Sequence, residues 1–246
     1  MPLMDHFHAP LILRRNREGF HGLWAASLVE TLNREILSED YYADMQVHVG
    51  SAVEVDVAAL RESESAANQN PAAITAWAPP SADWSLPATF LDEVEVQVYE
   101  TSSGSTLVGA IELVSPGIKD RPETRRAFAA KCASYLSRGV GLLVVDIVTN
   151  RLANLHNETM AVLGLGEPFL LPPSVTLYAV SYRPSRRADG DRIDVWRRPL
   201  TIGADLPEMP LGLRDAGVIR VDLPSTYRQI CMRLRLIRDA ETAVGA

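Results

Sequence analysis

A single carboxylate interrupts an apolar run in the segment Gly109-Ala-Ile-Glu-Leu-Val-Ser-Pro116. Between residues 106 and 114 the polar side chains are Thr106 and Glu112, and the run lacks a clean period-two alternation. Such runs are typical of strands that are covered on both faces. Burying an ionised carboxylate costs several kcal/mol unless a cation or hydrogen-bond donors meet it. Glu112 is therefore a candidate for chemistry rather than for packing.

A second acid, Asp146, interrupts the apolar run of residues 142–148 in the same way. Open α/β sheets place their binding crevices at the carboxyl ends of strands, so two acids near such ends indicate a polar site. Asp146 also has a structural interpretation, because a strand-end carboxylate often caps the helix that follows.

The elements that position these acids follow from apolar periodicity and from turn residues. The first helix is predicted to bury a stripe formed by Leu23, Leu28, Leu32 and Ile36. The predicted elements in chain order are a helix over 20–37, strands over 42–49, 53–58, 93–100 and 106–115, a helix over 122–137, a strand over 140–149, a helix over 150–163, strands over 175–182 and 191–197, and a helix over 225–240.

We therefore predict an α/β fold with a mixed β-sheet flanked by helices. The helix over 122–137 is expected to form a right-handed crossover that makes the 140–149 strand parallel to the Glu112 strand. Residues 61–88 are rich in Ser, Ala, Asn and Pro, which predicts a long loop. No low-complexity linker divides the chain, so we predict one domain over 1–246, with a core at about 20–165 and an extension at about 166–246 packed on it.

Composition limits the partners that the chain can attract. With 246 residues and a hydrophobic content of 47%, the chain can bury a sizeable core. The formal net charge of -7 gives no global attraction to nucleic acid, so such a contact would need a local basic patch. Cys132 and Cys231 show no metal-type spacing, and no run is long and apolar enough for a membrane span. These features predict a cytoplasmic protein without a membrane anchor.

The order helix, three strands, helix, strand, with acids on the second and third strands, resembles the PD-(D/E)XK nuclease-like, or restriction-endonuclease-like, core. It is most similar to an uncharacterised bacterial family of unknown function that has this core. The resemblance covers about residues 20–165. It is carried by Val53-Glu-Val-Asp56-Val-Ala58, Ile111-Glu-Leu-Val-Ser-Pro116 with Lys119-Asp-Arg-Pro122, Lys131-Cys-Ala-Ser-Tyr135, and Gly141-Leu-Leu-Val-Val-Asp146.

The resemblance implies a site for Mg²⁺ or Mn²⁺ at Asp56 and Glu112. Two hard oxygen donors on adjacent strands can hold such an ion while leaving waters bound to it. The lysine that the pattern expects two residues after the second acid is replaced by Val114. The candidate for its role is Lys131 on the following helix, with Tyr135 one turn further along. Tyr135, Asp146 and Lys119 are predicted as accessory residues.

Each of these residues also has a simpler interpretation. Asp56 can be an exposed acid on the polar face of a strand, and Lys131 a solvated surface lysine. Glu112 can form a structural ion pair with Lys131 or with an arginine. The basic cluster formed by Lys119, Arg121, Arg125 and Arg126 can bind phosphate, but mixed charges at a helix start are more often a solvated face.

The sequence leaves two functions open. The first is a metal-dependent phosphodiester hydrolase that uses Asp56, Glu112 and Lys131, with DNA, RNA and small nucleotides all open as substrates. The second is a catalytically inactive nuclease-like fold that acts as a binding module, because a fold does not dictate a function. The acidic composition favours the second function, and the retained acids and lysine favour the first.

Overall fold

The computed structural model describes residues 1–13, 17–49, 92–101, 106–188 and 190–237. The predicted strand over 53–58, with Asp56, and the predicted loop over 61–88 lie outside the described residues.

The described elements are helices and strands mixed along the chain. They are α1 (Arg17–Thr31) with a π-helical turn (Leu32–Ile36), β1 (Tyr41–Val49), β2 (Asp92–Glu100), β3 (Thr106–Leu113), α2 (Pro116–Asp120), α3 (Pro122–Ser137), β4 (Gly141–Asp146), α4 (Leu155–Val162), β5 (Tyr178–Arg187), β6 (Gly190–Pro199), β7 (Met209–Gly212), β8 (Val218–Val221) and α5 (Leu223–Arg233).

Six strands form one mixed sheet in the order β1-β2-β3-β4-β5-β6. The β3 and β4 strands are parallel, and α3 makes the crossover between them, as the sequence predicts. The other neighbouring strands in this sheet are antiparallel. The C-terminal strands extend the sheet through β5 and β6, and β7 and β8 form a small second sheet that packs against β4 and β5. The predicted α/β class with a mixed sheet flanked by helices is therefore confirmed.

The buried face of α1 differs from the predicted stripe. Phe20, Trp24 and Leu28 are buried, whereas Leu23 is 37% exposed. The four-residue spacing places the two aromatic rings on the inner face, where α1 packs on α5, β1 and β2. The Trp24 indole donates a hydrogen bond to Thr226 Oγ1 on α5 at 3.1 Å, so Trp24 satisfies its one polar group inside the core.

Helix α3 spans the predicted residues, and its limits have local causes. Pro122 stands in the first turn, where no backbone N–H is needed. Phe128, Cys132 and Leu136 repeat every four residues and are buried against the sheet. Gly139 follows the helix with a φ of 81°, a conformation that favours glycine and reverses the chain into β4.

The N-terminal segment belongs to the core, although chain termini are often poorly ordered. His6 lies 2.7 Å from the Tyr227 hydroxyl through its Nε2 atom and stacks on the Phe20 ring. Burial lowers the pKa of His6 to about 4. His6 is therefore a neutral packing residue.

Among the described residues, no helix has the length and apolar character needed to cross a membrane.

Replacing Gly141 with alanine should destabilise the fold. A Cβ atom at this position would lie 1.9 Å from the Gly212 carbonyl oxygen, because β7 crosses β4 closely there. Overpacking of this kind costs about 1–3 kcal/mol, which urea denaturation would measure. The matched control is Gly22→Ala in α1, where a Cβ atom meets nothing within 4 Å and the helix should gain about 0.5–1 kcal/mol. Equal stability of wild type and Gly141→Ala would contradict this packing of β7 on β4.

Candidate functional site

Two glutamates lie side by side on the central strands. Glu95 on β2 is directly opposite Glu112 on β3, so both side chains project from the same face of the sheet. Both are buried, with residue exposures of 0% and 1%. The next pair in the register, Val96 and Ile111, lies on the other face of the sheet and is also fully buried. The strand alternation thus brings two acids together inside the core.

Lys131 reaches from α3 to both carboxylates. Its Nζ atom lies 3.0 Å from Glu112 Oε1, 3.2 Å from Glu112 Oε2 and 3.4 Å from Glu95 Oε2. Its ammonium group lies 5.6 Å from the centroid of the Phe128 ring. The Lys131 side chain is 23% exposed, while the carboxylates are closed off beneath it. Lys131 is therefore not a solvated surface lysine, and the ion pair with Glu112 that the sequence left open is present.

Neutral donors hold Glu95 in place. The Tyr135 hydroxyl lies 3.2 and 3.3 Å from the two Glu95 carboxylate oxygens. Gln97 Nε2 donates to Glu95, and the Tyr99 hydroxyl donates to Gln97. The predicted accessory residue Tyr135 therefore contacts Glu95 at this site.

Glu112 is held differently from Glu95. Its Oε1 atom is buried and lies within ion-pair distance of Lys131, but it accepts no well-aligned hydrogen bond. The contact of this oxygen with Lys131 is therefore ionic.

Burial raises the pKa of Glu112 well above its ordinary value; Lys131 opposes this shift and Glu95 adds to it. Burial, together with the charge of Glu95, also raises the pKa of Tyr135, so this hydroxyl stays a neutral donor. Two ionised carboxylates against one ammonium would leave a buried negative charge, which is costly. A shared proton or a bound cation would relieve this cost.

Asp146 and Lys119 form a separate ion pair. Lys119 Nζ lies 2.8 Å from Asp146 Oδ2, and both side chains are 0% exposed. Burial raises the pKa of Asp146 to about 6, although the Lys119 ammonium opposes this. The Asp146 carboxylate also accepts a hydrogen bond from the Val148 N–H at 3.0 Å. These two accessory candidates therefore contact each other, whereas the contacts of Glu112 are with Lys131 and Glu95.

The structure changes two predictions, the cap role of Asp146 and the basic cluster at the start of α3. Asp146 does not cap α4, because eight residues separate it from that helix and the cap is Asn154, which accepts from Asn157 N. The basic cluster at the start of α3 is divided between separate environments. Lys119 is buried, Arg125 pairs with Glu158 at 3.1 Å, and Arg121 and Arg126 are exposed.

Sequence reasoning missed Glu95. The segment Asp92-Glu-Val-Glu-Val-Gln-Val98 alternates polar residues with valines, and it was interpreted only as a strand. The predicted strand over 93–100 directly precedes the Glu112 strand, so the polar face of β2 offered a signal. Asp56, the other acid of the predicted metal site, lies outside the described residues.

Comparison of the chain with protein-family models, with curated proteins and with solved structures finds no match. Within the described part of the chain, no group of three or more His, Cys, Asp or Glu side chains is placed to hold a metal ion. A functional assignment therefore depends on the chemistry of the Glu95, Glu112 and Lys131 cluster itself.

Proposed function

We propose that this chain is a metal-dependent phosphodiester hydrolase with a PD-(D/E)XK-like core. The observation that carries the proposal is the buried pair of Glu95 and Glu112 on adjacent strands with Lys131 at its rim. An arrangement maintained only for stability would not need two buried carboxylates beside one ammonium, because apolar residues of similar volume are often as stable or more so.

The residues fit a divalent cation. Glu95 and Glu112 supply hard oxygen ligands, and Mg²⁺ in proteins is commonly held by one or two carboxylates with several waters. Asp56 remains a predicted additional ligand of the metal ion. Mg²⁺ or Mn²⁺ at this site would lower the pKa of a bound water and offset the charge of a phosphodiester. The cost of burying two carboxylates beside one ammonium, and the Glu112 Oε1 atom without a hydrogen-bond partner, support this assignment.

The surrounding side chains have distinct roles in the proposal. Lys131 is partly exposed on a flexible stem, so its ammonium can stabilise the negative charge that develops on the phosphoryl oxygens. Tyr135 and Gln97 fix the orientation of the Glu95 carboxylate through hydrogen bonds. Such outer contacts orient metal ligands and tune their affinity.

A binding module without catalysis is the second candidate. It is favoured by the position of Lys131, which already lies between both carboxylates and gives them a cation. In either case we propose a cytoplasmic setting, which the free and buried thiols of Cys132 and Cys231 support.

Calorimetric titration with Mn²⁺ at several pH values tests the hydrolase proposal. A divalent ion needs both carboxylates deprotonated. Because the pKa of Glu112 is raised, its carboxyl group stays protonated at a pH where an ordinary glutamate, with a pKa of about 4.3, has lost its proton. We therefore expect Mn²⁺ affinity to keep rising over a pH range above the one in which an ordinary glutamate ionises. Absence of any binding heat across this range would count against the hydrolase and favour the binding module.

A further inference from the structure

A basic groove lies at the C-terminal end of α3. It has a volume of about 1430 Å³ and is lined by the end of α3, α4 with the loop after it, the β5–β6 hairpin and the turn between β7 and β8. Within the described part of the chain, six arginines line it: Arg138, Arg183, Arg186, Arg192, Arg197 and Arg214. The acidic residues of its lining are Asp191, Asp194 and Asp215. The groove thus carries a positive excess in a chain whose formal net charge is -7.

Two of the arginine side-chain stems pack against neighbouring glycines. Gly212 leaves room for the Arg183 stem, since a Cβ atom at Gly212 would lie 2.6 Å from Arg183 Cγ. The Arg214 stem packs over Gly139, and the backbone N–H of Arg214 donates to the Val108 carbonyl at 2.9 Å. Packing of the stems reduces the conformational entropy that is lost when these arginines bind an anion, and at Arg214 the anion would compete with Asp215, which lies 3.4 Å from its Nε atom.

Apolar side chains are exposed in the same groove. Phe169 is 52% exposed, and Leu165 and Val195 are 38% and 39% exposed. The Phe169 carbonyl oxygen lies 2.9 Å from Nε2 of the buried His156, which anchors the backbone beneath the ring. A basic groove with an accessible aromatic ring is the combination that binds single-stranded nucleic acid, because arginines contact phosphates and the ring stacks on a base.

We infer that this groove binds a single strand of nucleic acid through its phosphates and through stacking on Phe169. The groove volume of about 1430 Å³ exceeds the roughly 300–1,000 Å³ of typical small-molecule pockets, which favours a polymer over a mononucleotide. A duplex hides its base faces, and an acidic peptide supplies carboxylates without a base to stack. These differences favour a single strand among the anionic polymers.

The groove and the glutamate site are joined by α3. Arg138 follows Lys131 by seven residues, which is about two helical turns and about 10 Å along the axis. A strand held in the groove can therefore extend towards Lys131, which covers the carboxylate pair. The assignment of this strand as the substrate rests on the proposed hydrolase function, whereas the binding itself does not.

Fluorescence anisotropy with a labelled oligothymidylate of roughly 16 nucleotides, in EDTA, tests the groove without any hydrolysis. The groove variant combines Arg186→Gln, Arg192→Gln and Arg197→Gln, all at exposed positions. The control combines Arg34→Gln, Arg220→Gln and Arg233→Gln, which are 62%, 59% and 50% exposed and lie outside the groove. Both variants change the net charge equally.

We expect the groove variant to bind at least about tenfold more weakly and to reduce the salt-dependence slope by about 2, while the control stays within about twofold of wild type. Phe169→Ala should weaken binding of the single strand more than binding of a duplex of the same length. Equal weakening by both triple variants would overturn the inference. So would displacement of the oligonucleotide by polyglutamate at the same concentration of charge as unlabelled oligothymidylate.

The same proteins separate this inference from the proposed function. Tight binding in EDTA that depends on the groove, without Mn²⁺-dependent hydrolysis of the oligonucleotide, would uphold the groove and overturn the substrate assignment. Mn²⁺-dependent hydrolysis of a small phosphodiester, without groove-dependent strand binding, would overturn the groove and leave the hydrolase proposal standing.

Discussion

Glu112→Gln is expected to abolish Mn²⁺ binding and to reduce phosphodiester hydrolysis by at least about 100-fold, with the fold retained. The change removes a charged oxygen ligand, and loss of an outer contact to a metal ligand already costs about 10–100-fold. The fold should survive because a glutamine of the same shape avoids the burial cost of a second carboxylate, and Lys131 keeps its contact with Glu95. Mn²⁺ titration and a hydrolysis assay on the same preparation measure both effects.

The matched control for this prediction is Glu123→Gln. Glu123 lies exposed in the first turn of α3, so its replacement removes one negative charge without touching the site. Asp56→Asn, which tests the acid that the sequence predicts as a second ligand, should also lose Mn²⁺ binding. If the wild type shows no heat of binding and both Asp56→Asn and Glu112→Gln melt lower, the residues are structural and the binding module should replace the hydrolase.

Much of the fold could be predicted because its signals are local. The limits of α3 follow from Pro122 and from Gly139 with its positive φ, and both are visible in the sequence. Glu112 stood out because an acid within a strand that is apolar on both faces is costly without a partner. The parallel pairing of β3 with β4 follows from the α3 crossover between them.

The rest depends on contacts between distant segments. Glu95 belongs to the site because the β2–β3 register places it opposite Glu112, and a shift of one residue would turn it to the other face. The stripe of α1 was assigned to Leu23 rather than Trp24 because periodicity alone does not show which face meets α5. The basic groove was hidden in the same way, since its arginines are scattered through an acidic chain.

Lys119→Met is expected to destabilise the protein by about 3–5 kcal/mol, because it leaves the Asp146 carboxylate buried without its cation. Urea denaturation measures this change. The control is Arg220→Met, which breaks an ion pair with Glu208 whose side chains are 59% and 51% exposed and should cost less than about 1 kcal/mol. Similar losses of unfolding free energy in both variants would show that the buried Lys119–Asp146 pair contributes no more stability than an exposed ion pair.

The pH dependence and a double variant separate lost charge pairing from lost packing. The pKa of Asp146 is already raised to about 6 by burial, and removing Lys119 should raise it further. A raised carboxyl pKa gives stability at low pH that is lost as pH rises through the folded-state pKa, so the deficit of Lys119→Met should be smaller at about pH 5 than at about pH 8. Adding Asp146→Leu removes the unpaired carboxylate and should recover most of the deficit at the higher pH. A deficit that is independent of pH and is not recovered would identify the packing of the lysine stem, rather than its charge, as the source of stability.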